Sequence, residues 1–462
     1  MGVDRYDALV IGSGQGGKPL ALRLASEGSR TALVERAAIG GTCVNYGCTP
    51  TKTMIASARV GHLAGRGDDY GVRTGRVSID LEKVRDRKRG IVESFRTGSE
   101  KQVAGAENLE LIRGEARFTG PKELDVRLQD GGTRRISADR IVIDTGTDAI
   151  VPDLPGLKEV DFLDSTSIME LGSVPEHLVI LGGGVVALEF GQMFRRFGAR
   201  VTIVQRAERL VPREDVEISA EIAKIFADDG IDVLLRARPR KVERDRGGIA
   251  VSSETAQGER KAEGSHLLVA VGRAPNTVAL APDAAGIRTD EEGYIQVDER
   301  LETTAPGVYA IGDVKGGPAF THISYDDHRI LERNLLGDGE ATTVGRIVSY
   351  AVFTDPELGR AGATEEQARR LDRRIGVARL PMKKVARALE TDETRGLLKA
   401  VVDRESEEIL GCSFLGVHAG ELMSIVHLAM MAKQPYSLLR DAPFAHPTLA
   451  EALNNLFKKI ED

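Results

Sequence analysis

Tryptophan is absent from this 462-residue sequence, and aromatic residues make up only 4% of it, whereas glycine occurs 51 times. That balance suits α/β packing with many tight turns, without establishing it alone. Cysteine is nearly missing too. Three in a chain of this length exclude a secreted disulfide framework. No apolar run reaches the ~18 residues a membrane span requires, and the start of the chain carries no basic n-region or amphipathic presequence. Excess positive charge is lacking as well. Lys plus Arg total 63 against 70 Asp plus Glu, for a formal net charge of -7, which argues against a nucleic-acid or anionic-membrane partner. The expectation is a cytosolic protein of two to four domains with ample core.

Two of the three cysteines lie close together, in the stretch GGTCVNYGCTPTK (residues 40–52). Cys43 and Cys48 are five positions apart, which in regular helix is a rise of about 7.5 Å along the axis. That exceeds the ~7 Å Cα limit for a disulfide, so a bond would require a break in the helix between them. Gly47 can supply strained dihedrals. Pro50 fits the first turn of a helix running on through Met54, Ile55 and Ala58, at whose mouth thiolates would be stabilised. A zinc site would need four ligands, and the remaining cysteine, Cys412, is distant. From the pair alone, core packing and redox chemistry both remain open.

The surroundings are more specific. A strand over Tyr6–Ile11 leads into Gly12-Ser13-Gly14-Gln15-Gly16-Gly17, then a helix from about Lys18 to Glu27 and a strand from Thr31 ending at Glu35. This is G-x-G-x-x-G in full strand–helix–strand context, with an acid suited to a ribose. Gly12 makes the turn, Gly14 admits a pyrophosphate and Gly17 lets helix meet strand. A second copy follows. The strand His177–Leu181 precedes Gly182-Gly183-Gly184-Val185-Val186-Ala187, then a helix to Phe197 and the strand Val201–Val204. Gly182, Gly184 and Ala187 take the fingerprint positions. Two fingerprints imply two dinucleotides and electron transfer between them. Where an NAD site carries its acid, this chain has Gln205, followed by Arg206, Arg209 and Arg213. A 2′-phosphate suits guanidiniums better than a bare ribose does, so NADPH is expected, with NADH possible; the bland alternative is a solvated loop face.

The block GGTCVNYGCTPTK resembles the redox signature of the flavin-dependent pyridine nucleotide–disulfide oxidoreductases, the family of lipoamide dehydrogenase, glutathione reductase and mercuric reductase. Further motifs carry the resemblance along nearly the whole chain. The strand Ile141–Gly146 is similar to the ATG-type strand closing the flavin domain, with Asp144 in place of the usual alanine. The stretch HLLVAVG ending at Gly272, with Arg273-Ala274-Pro275-Asn276-Thr277, resembles the segment returning to that domain. TTAPGVYAIGDV resembles the second flavin motif, whose acid, here Asp313, binds the ribityl chain. His446-Pro447-Thr448 with Glu451 resembles the family's acid–base dyad, which reaches the redox pair of a partner subunit. The implied fold class is α/β with two Rossmann-type domains and a C-terminal α+β dimerisation domain. The expected divisions are 1–150 (FAD, first part), 151–275 (NAD(P)H), 276–344 (FAD, second part) and 345–462 (dimerisation).

By this resemblance the protein is a homodimeric FAD enzyme passing electrons from NADPH to a Cys43–Cys48 disulfide. Cys48 faces the flavin and Cys43 exchanges with substrate. Lys52 and Glu189 match an ion pair beside the flavin, and Gly41, Thr42 and Gly146 fall among its contacts. Cys412, in an apolar strand, is a packing thiol. Pro19 and Leu22 stand where glutathione reductases carry an arginine, so glutathione is disfavoured. The helix Thr53–Leu63 and the -CVN- resemble mercuric reductase, but no cysteine follows Cys412 and the dyad histidine is present. Tyr46 and Thr49 depart from the usual small apolar residues around the pair. A small disulfide substrate is the leading expectation, a metal ion the second, and a redox-inactive flavoprotein scaffold the third.

Overall fold

The computed structural model describes residues 2–245 and 248–460, which divide into two compact units. The first comprises residues up to Thr53, Lys83–Ile150 and Gly272–Arg346. Its centre is the strand Asp4–Ile11, hydrogen-bonded in parallel to Thr31–Glu35 on one side and Thr133–Ile143 on the other. Both faces of that strand are buried, which is why its sequence is continuously apolar from Ala8. Tyr6, Leu9 and Ile11 enter one core with Ile112, Phe118 and Ile141. Ala8 and Val10 enter another with Leu20, Ala21 and Leu24 of the helix Gly17–Ser26. An antiparallel meander of Leu109–Gly120, Glu123–Leu128 and Thr133–Ile143 extends this sheet.

Register sets the architecture of this unit. Ile11 pairs with Ile143, and Ala310 of the short parallel strand Val308–Ala310 pairs with Ile143 from the other side. Three strands therefore end level, and three loops, beginning at Gly12, Asp144 and Ile311, emerge together. The carboxyl ends of parallel strands are where α/β sheets bind ligands.

The second unit comprises Met54–Glu82, Val151–Val271 and the chain from Ile347. It holds a parallel sheet in the order Asp232–Leu234, Arg200–Val204, His177–Leu181, His266–Val269, Phe162–Leu163. The helix Val185–Phe197 buries Leu188, Phe190 and Phe194, and an antiparallel triplet spans Arg238–Asp245, Gly248–Thr255 and Gly258–Gly264. The C-terminal part is a five-stranded antiparallel sheet backed by the helix Ala419–Met431. Cys412 lies inside that core, and burial pushes its thiol up to about 12. A short helix, Glu365–Arg369, starts after Thr364, which is its cap. The Thr364 hydroxyl accepts the Gln367 N–H, and the Gln367 side chain accepts the Thr364 N–H.

Candidate functional site

The three aligned loops form a cradle that only glycine permits. Gly12 has φ +101°, and a Cβ there would lie 2.2 Å from the Asp144 carbonyl oxygen. A Cβ on Gly17 would lie 2.3 Å from the Gly12 carbonyl oxygen. A Cβ on Gly14 would meet Asp144 Oδ2 at 2.6 Å, beneath the loop. Glu35 accepts the Ser13 N–H at 2.9 Å and the Ser13 hydroxyl at 2.6 Å, tying the loop to its strand, and Ala37 N–H donates to its other oxygen at 2.7 Å. Gly41, at φ +63°, approaches Gly14 so closely that a Cβ would lie 2.8 Å from the Gly14 Cα. Asp313 accepts the Thr147 hydroxyl at 3.2 Å; burial pushes its carboxyl up, against the pull of Arg273 and Lys315. The Gly146 carbonyl accepts the Asn276 N–H, and that of Gly272 the Ile150 N–H. A helix N-terminus behind a glycine turn, with a half-buried carboxylate on the neighbouring loop, fits a dinucleotide: pyrophosphate over Gly12–Gly17, hydroxyls toward Asp313.

The cysteine stretch is broken as the spacing requires. Gly41–Asn45 is a short helix, and a second, Cys48–Gly65, starts with Cys48 after a gap at Tyr46 and Gly47. The Asn45 side chain closes the first helix, donating to the Ile39 and Gly41 carbonyls at 3.0 Å each. Cys43 is half-buried and Cys48 exposed. A hydrogen bond to Cys48 is the main reason the Cys43 thiol sits far above its ordinary range; burial and the Cys48 charge add to this, opposed by Thr321 and Lys52. A hydrogen-bonded thiol pair loses its two protons in separate steps that belong to the pair. The Thr321 hydroxyl, 3.3 Å from Cys48 Sγ, is a contact sequence reasoning missed. Nothing local marks Thr321, which is 273 residues away. Thr42 is exposed beside the pair.

At the second fingerprint, Gly182 has φ +111° and would place a Cβ 2.2 Å from the Ala270 carbonyl oxygen. Space around Gly184 is open, and Ala187 is buried. Gln205 is buried beneath this loop, with Nε2 only 2.8 Å from the place a Gly183 Cβ would occupy. Arg206 is exposed at the end of the strand, and Arg209 Nη2 donates to the Pro212 carbonyl at 2.9 Å.

In the same unit Glu189 is buried, its carboxylate accepting the Phe353 N–H at 2.9 Å. His446 Nδ1 and Glu451 Oε2 are 2.9 Å apart, and the imidazole is 70% exposed. The dyad is thus assembled and open to solvent in the single chain. Among the described residues no group of three or more His, Cys, Asp or Glu side chains could hold a metal ion, and no helix is long and apolar enough to cross a membrane.

Residues 6–327 match the family described as pyridine nucleotide-disulphide oxidoreductase, and residues 348–457 match its dimerisation domain. The probable pyridine nucleotide-disulfide oxidoreductase RclA of Escherichia coli (strain K12) is 40% identical over 99% of this chain and all of its own. The mercuric reductase of Staphylococcus aureus is 34% identical over 97% of this chain and 81% of its own length. The dihydrolipoyl dehydrogenase of Thermus scotoductus is 35% identical over 97% of this chain and 96% of its own. Among solved structures, the Cu(II) complex of the HOCl-induced flavoprotein disulfide reductase RclA from Escherichia coli superposes with a TM-score of 0.90, covering 99% of both chains at 40% identity.

Proposed function

Because the chain belongs to the pyridine nucleotide-disulphide oxidoreductase family and is a flavoprotein disulfide reductase, we propose that it carries two electrons from NADPH to a Cys43–Cys48 disulfide and on to a small disulfide substrate. The observation that carries this reading is the pair itself, two thiols on separate helices hydrogen-bonded across the Tyr46–Gly47 break. Bound FAD supplies the two-electron relay between nicotinamide and sulfur. Gly12, Gly14, Gly17, Glu35, Gly41, Thr42, Lys52, Gly146, Asp313 and Gly272 would hold it. Gly182, Gly184 and Ala187 would receive the nicotinamide nucleotide. Gln205 puts no carboxylate against a 2′-phosphate, and exposed Arg206 is free in charge to meet one, which supports NADPH over NADH.

The thiols then perform two exchanges. Cys43 as thiolate attacks one sulfur of the substrate, and the other sulfur leaves with a proton from the partner subunit's His446. Cys48 next attacks the Cys43 sulfur of the mixed disulfide, releasing the second thiol and closing the Cys43–Cys48 bond. The net change is NADPH, a proton and one disulfide converted to NADP⁺ and two thiols. Glu451 orients the imidazole and balances its charge. The dimerisation domain supports a homodimer, and in this reading each dyad serves the other chain.

A second reading is favoured by the copper complex of RclA and by the likeness to mercuric reductases. The same dithiol would hold a soft metal ion, and one NADPH would reduce one Hg(II) or two Cu(II). Purified holoenzyme supplied with NADPH should be assayed against lipoamide, glutathione disulfide, other low-molecular-weight disulfides, Hg(II) and Cu(II). Turnover of a disulfide well above that of either metal establishes the first reading, and the reverse order replaces it. An enzyme whose flavin NADPH fails to bleach would be a scaffold, overturning both.

A further inference from the structure

Asp144 stands where the family's strand ends in alanine, and none of the steps above uses it. Its side chain is 7% exposed. Oδ2 accepts the Gly17 N–H at 2.8 Å, a first-turn amide of the helix whose N-terminus faces the cofactor cradle. The carboxyl also fills the underside of the cradle, where Cβ atoms on Gly14 and Gly17 would meet Oδ2 at 2.6 and 2.9 Å, and one on Gly312 would meet Oδ1 at 2.7 Å. It therefore braces the first glycine loop against the second flavin motif from within the protein.

The charges that act most strongly on this carboxyl are acids: Asp313 on the loop after Ile311, Asp327 on the helix Thr321–Leu336, and Glu35 at the end of its strand. Two cations lie against Asp327. Lys315 Nζ lies 3.3 Å from Asp327, and Arg346 Nη1 lies 2.8 Å from it. Among the described residues no ion pair engages Asp144. Burial, opposed by the single Gly17 N–H, pushes the carboxyl well above its ordinary range, and the three neighbouring acids push it further. A pyrophosphate on the outer side of the same helix end would compete for the same dipole, making a charge on Asp144 costlier still.

We propose that Asp144 is a positioning residue for FAD, bracing the glycine cradle as an uncharged carboxylic acid, and that its loss of a proton expels the cofactor. This rests on the assignment of FAD to the Gly12–Gly17 loop. An ionised carboxylate under the loop would meet the phosphates across one layer of backbone, with no ion pair to it among the described residues. The acid form instead keeps the carbonyl oxygen on the Gly17 N–H and adds no charge.

The test is release of FAD from diluted holoenzyme, followed by the rise in flavin fluorescence from pH ~6 to pH ~9, with far-UV circular dichroism recorded at each point. Once Asp144 ionises, the wild-type dissociation constant should rise by up to about tenfold per pH unit. The Asp144→Asn variant, which keeps an oxygen for Gly17 N–H but cannot ionise, should show a flat profile and hold FAD at high pH. Asp144→Ala should also be flat, but weaker throughout for want of the brace. Parallel wild-type and Asp144→Asn profiles would overturn the proposal, as would release accompanied by loss of the dichroism signal. A folded protein that binds no FAD at any pH would overturn the cofactor assignment instead.

Discussion

In the proposed mechanism Glu451, 2.9 Å from His446 Nδ1, holds the proton on that nitrogen and leaves Nε2 to exchange protons with a leaving thiolate. Removing such an acid–base group costs ~10²–10⁴-fold. His446→Gln should therefore cut disulfide turnover by that factor while NADPH still reduces the flavin at near the wild-type rate in stopped-flow absorbance. Metal reduction, which needs thiolates rather than a proton donor, should fall far less. Unchanged turnover of the best disulfide would remove the dyad from the mechanism. At the nicotinamide end, Arg206→Glu should raise KM for NADPH by about one to two decades and improve NADH, the effect of losing one charge-assisted hydrogen bond. Steady-state kinetics with both nucleotides check it, and a wild-type preference for NADH would refute the role given to Gln205 and Arg206. Residues of this kind were legible in the sequence because they sit inside short motifs. Thr321 and Ser13 were not, since a hydroxyl gains its role only from what folding places beside it.

The helix Val185–Phe197 presents Glu189, Gln192 and Arg196 along one face. All three grip the segment Phe353–Asp355. Glu189 accepts the Phe353 N–H, Gln192 exchanges hydrogen bonds with the Asp355 main chain at 2.7 and 2.8 Å, and Arg196 pairs with the Asp355 carboxylate. Arg59 pairs with that carboxylate as well and reaches Glu393 at 2.8 Å. Asp355→Ala would leave buried guanidinium charge uncompensated, at a cost of about 3–5 kcal/mol. Urea unfolding should show the midpoint falling by a corresponding amount, and a shift equal to that of an exposed substitution would mean the cluster is not coupled. Strands, helices and the two glycine cradles could be read from the sequence, because periodicity and turn chemistry act over a few residues. This cluster could not, with its partners 163 and 296 positions apart. Asp144 fell between those cases: the departure was visible, but its effect depended on loops meeting from three strands.

At the level of the whole chain, acid should be more damaging than base near neutrality. Burial, with Arg196 nearby, lowers His62 to about 4, so it stays neutral in the folded protein while the unfolded chain takes up its proton near pH ~6.5. That contribution to stability is complete above the unfolded value and is lost as pH falls toward the folded one. Burial alone would raise Asp355, but Arg196 and Arg59 hold it below its ordinary range, so its contribution is lost only in stronger acid. Melting temperatures should therefore decline from pH ~6.5 to ~4 in the wild type, and less steeply in His62→Gln; identical slopes would rule His62 out as the cause. The 70% exposure of His446 has a consequence of another kind. If each dyad completes the other chain's site, a Cys43→Ser chain and a His446→Gln chain each turn over disulfide at about 1% or less of the wild-type rate when paired with themselves. Paired with one another they assemble one site with both parts intact. Random reassociation of equal amounts should restore about a quarter of the wild-type sites, and a mixture as inactive as its components would show that each chain works alone. A cell carrying both defective alleles would then keep a capacity that neither allele encodes.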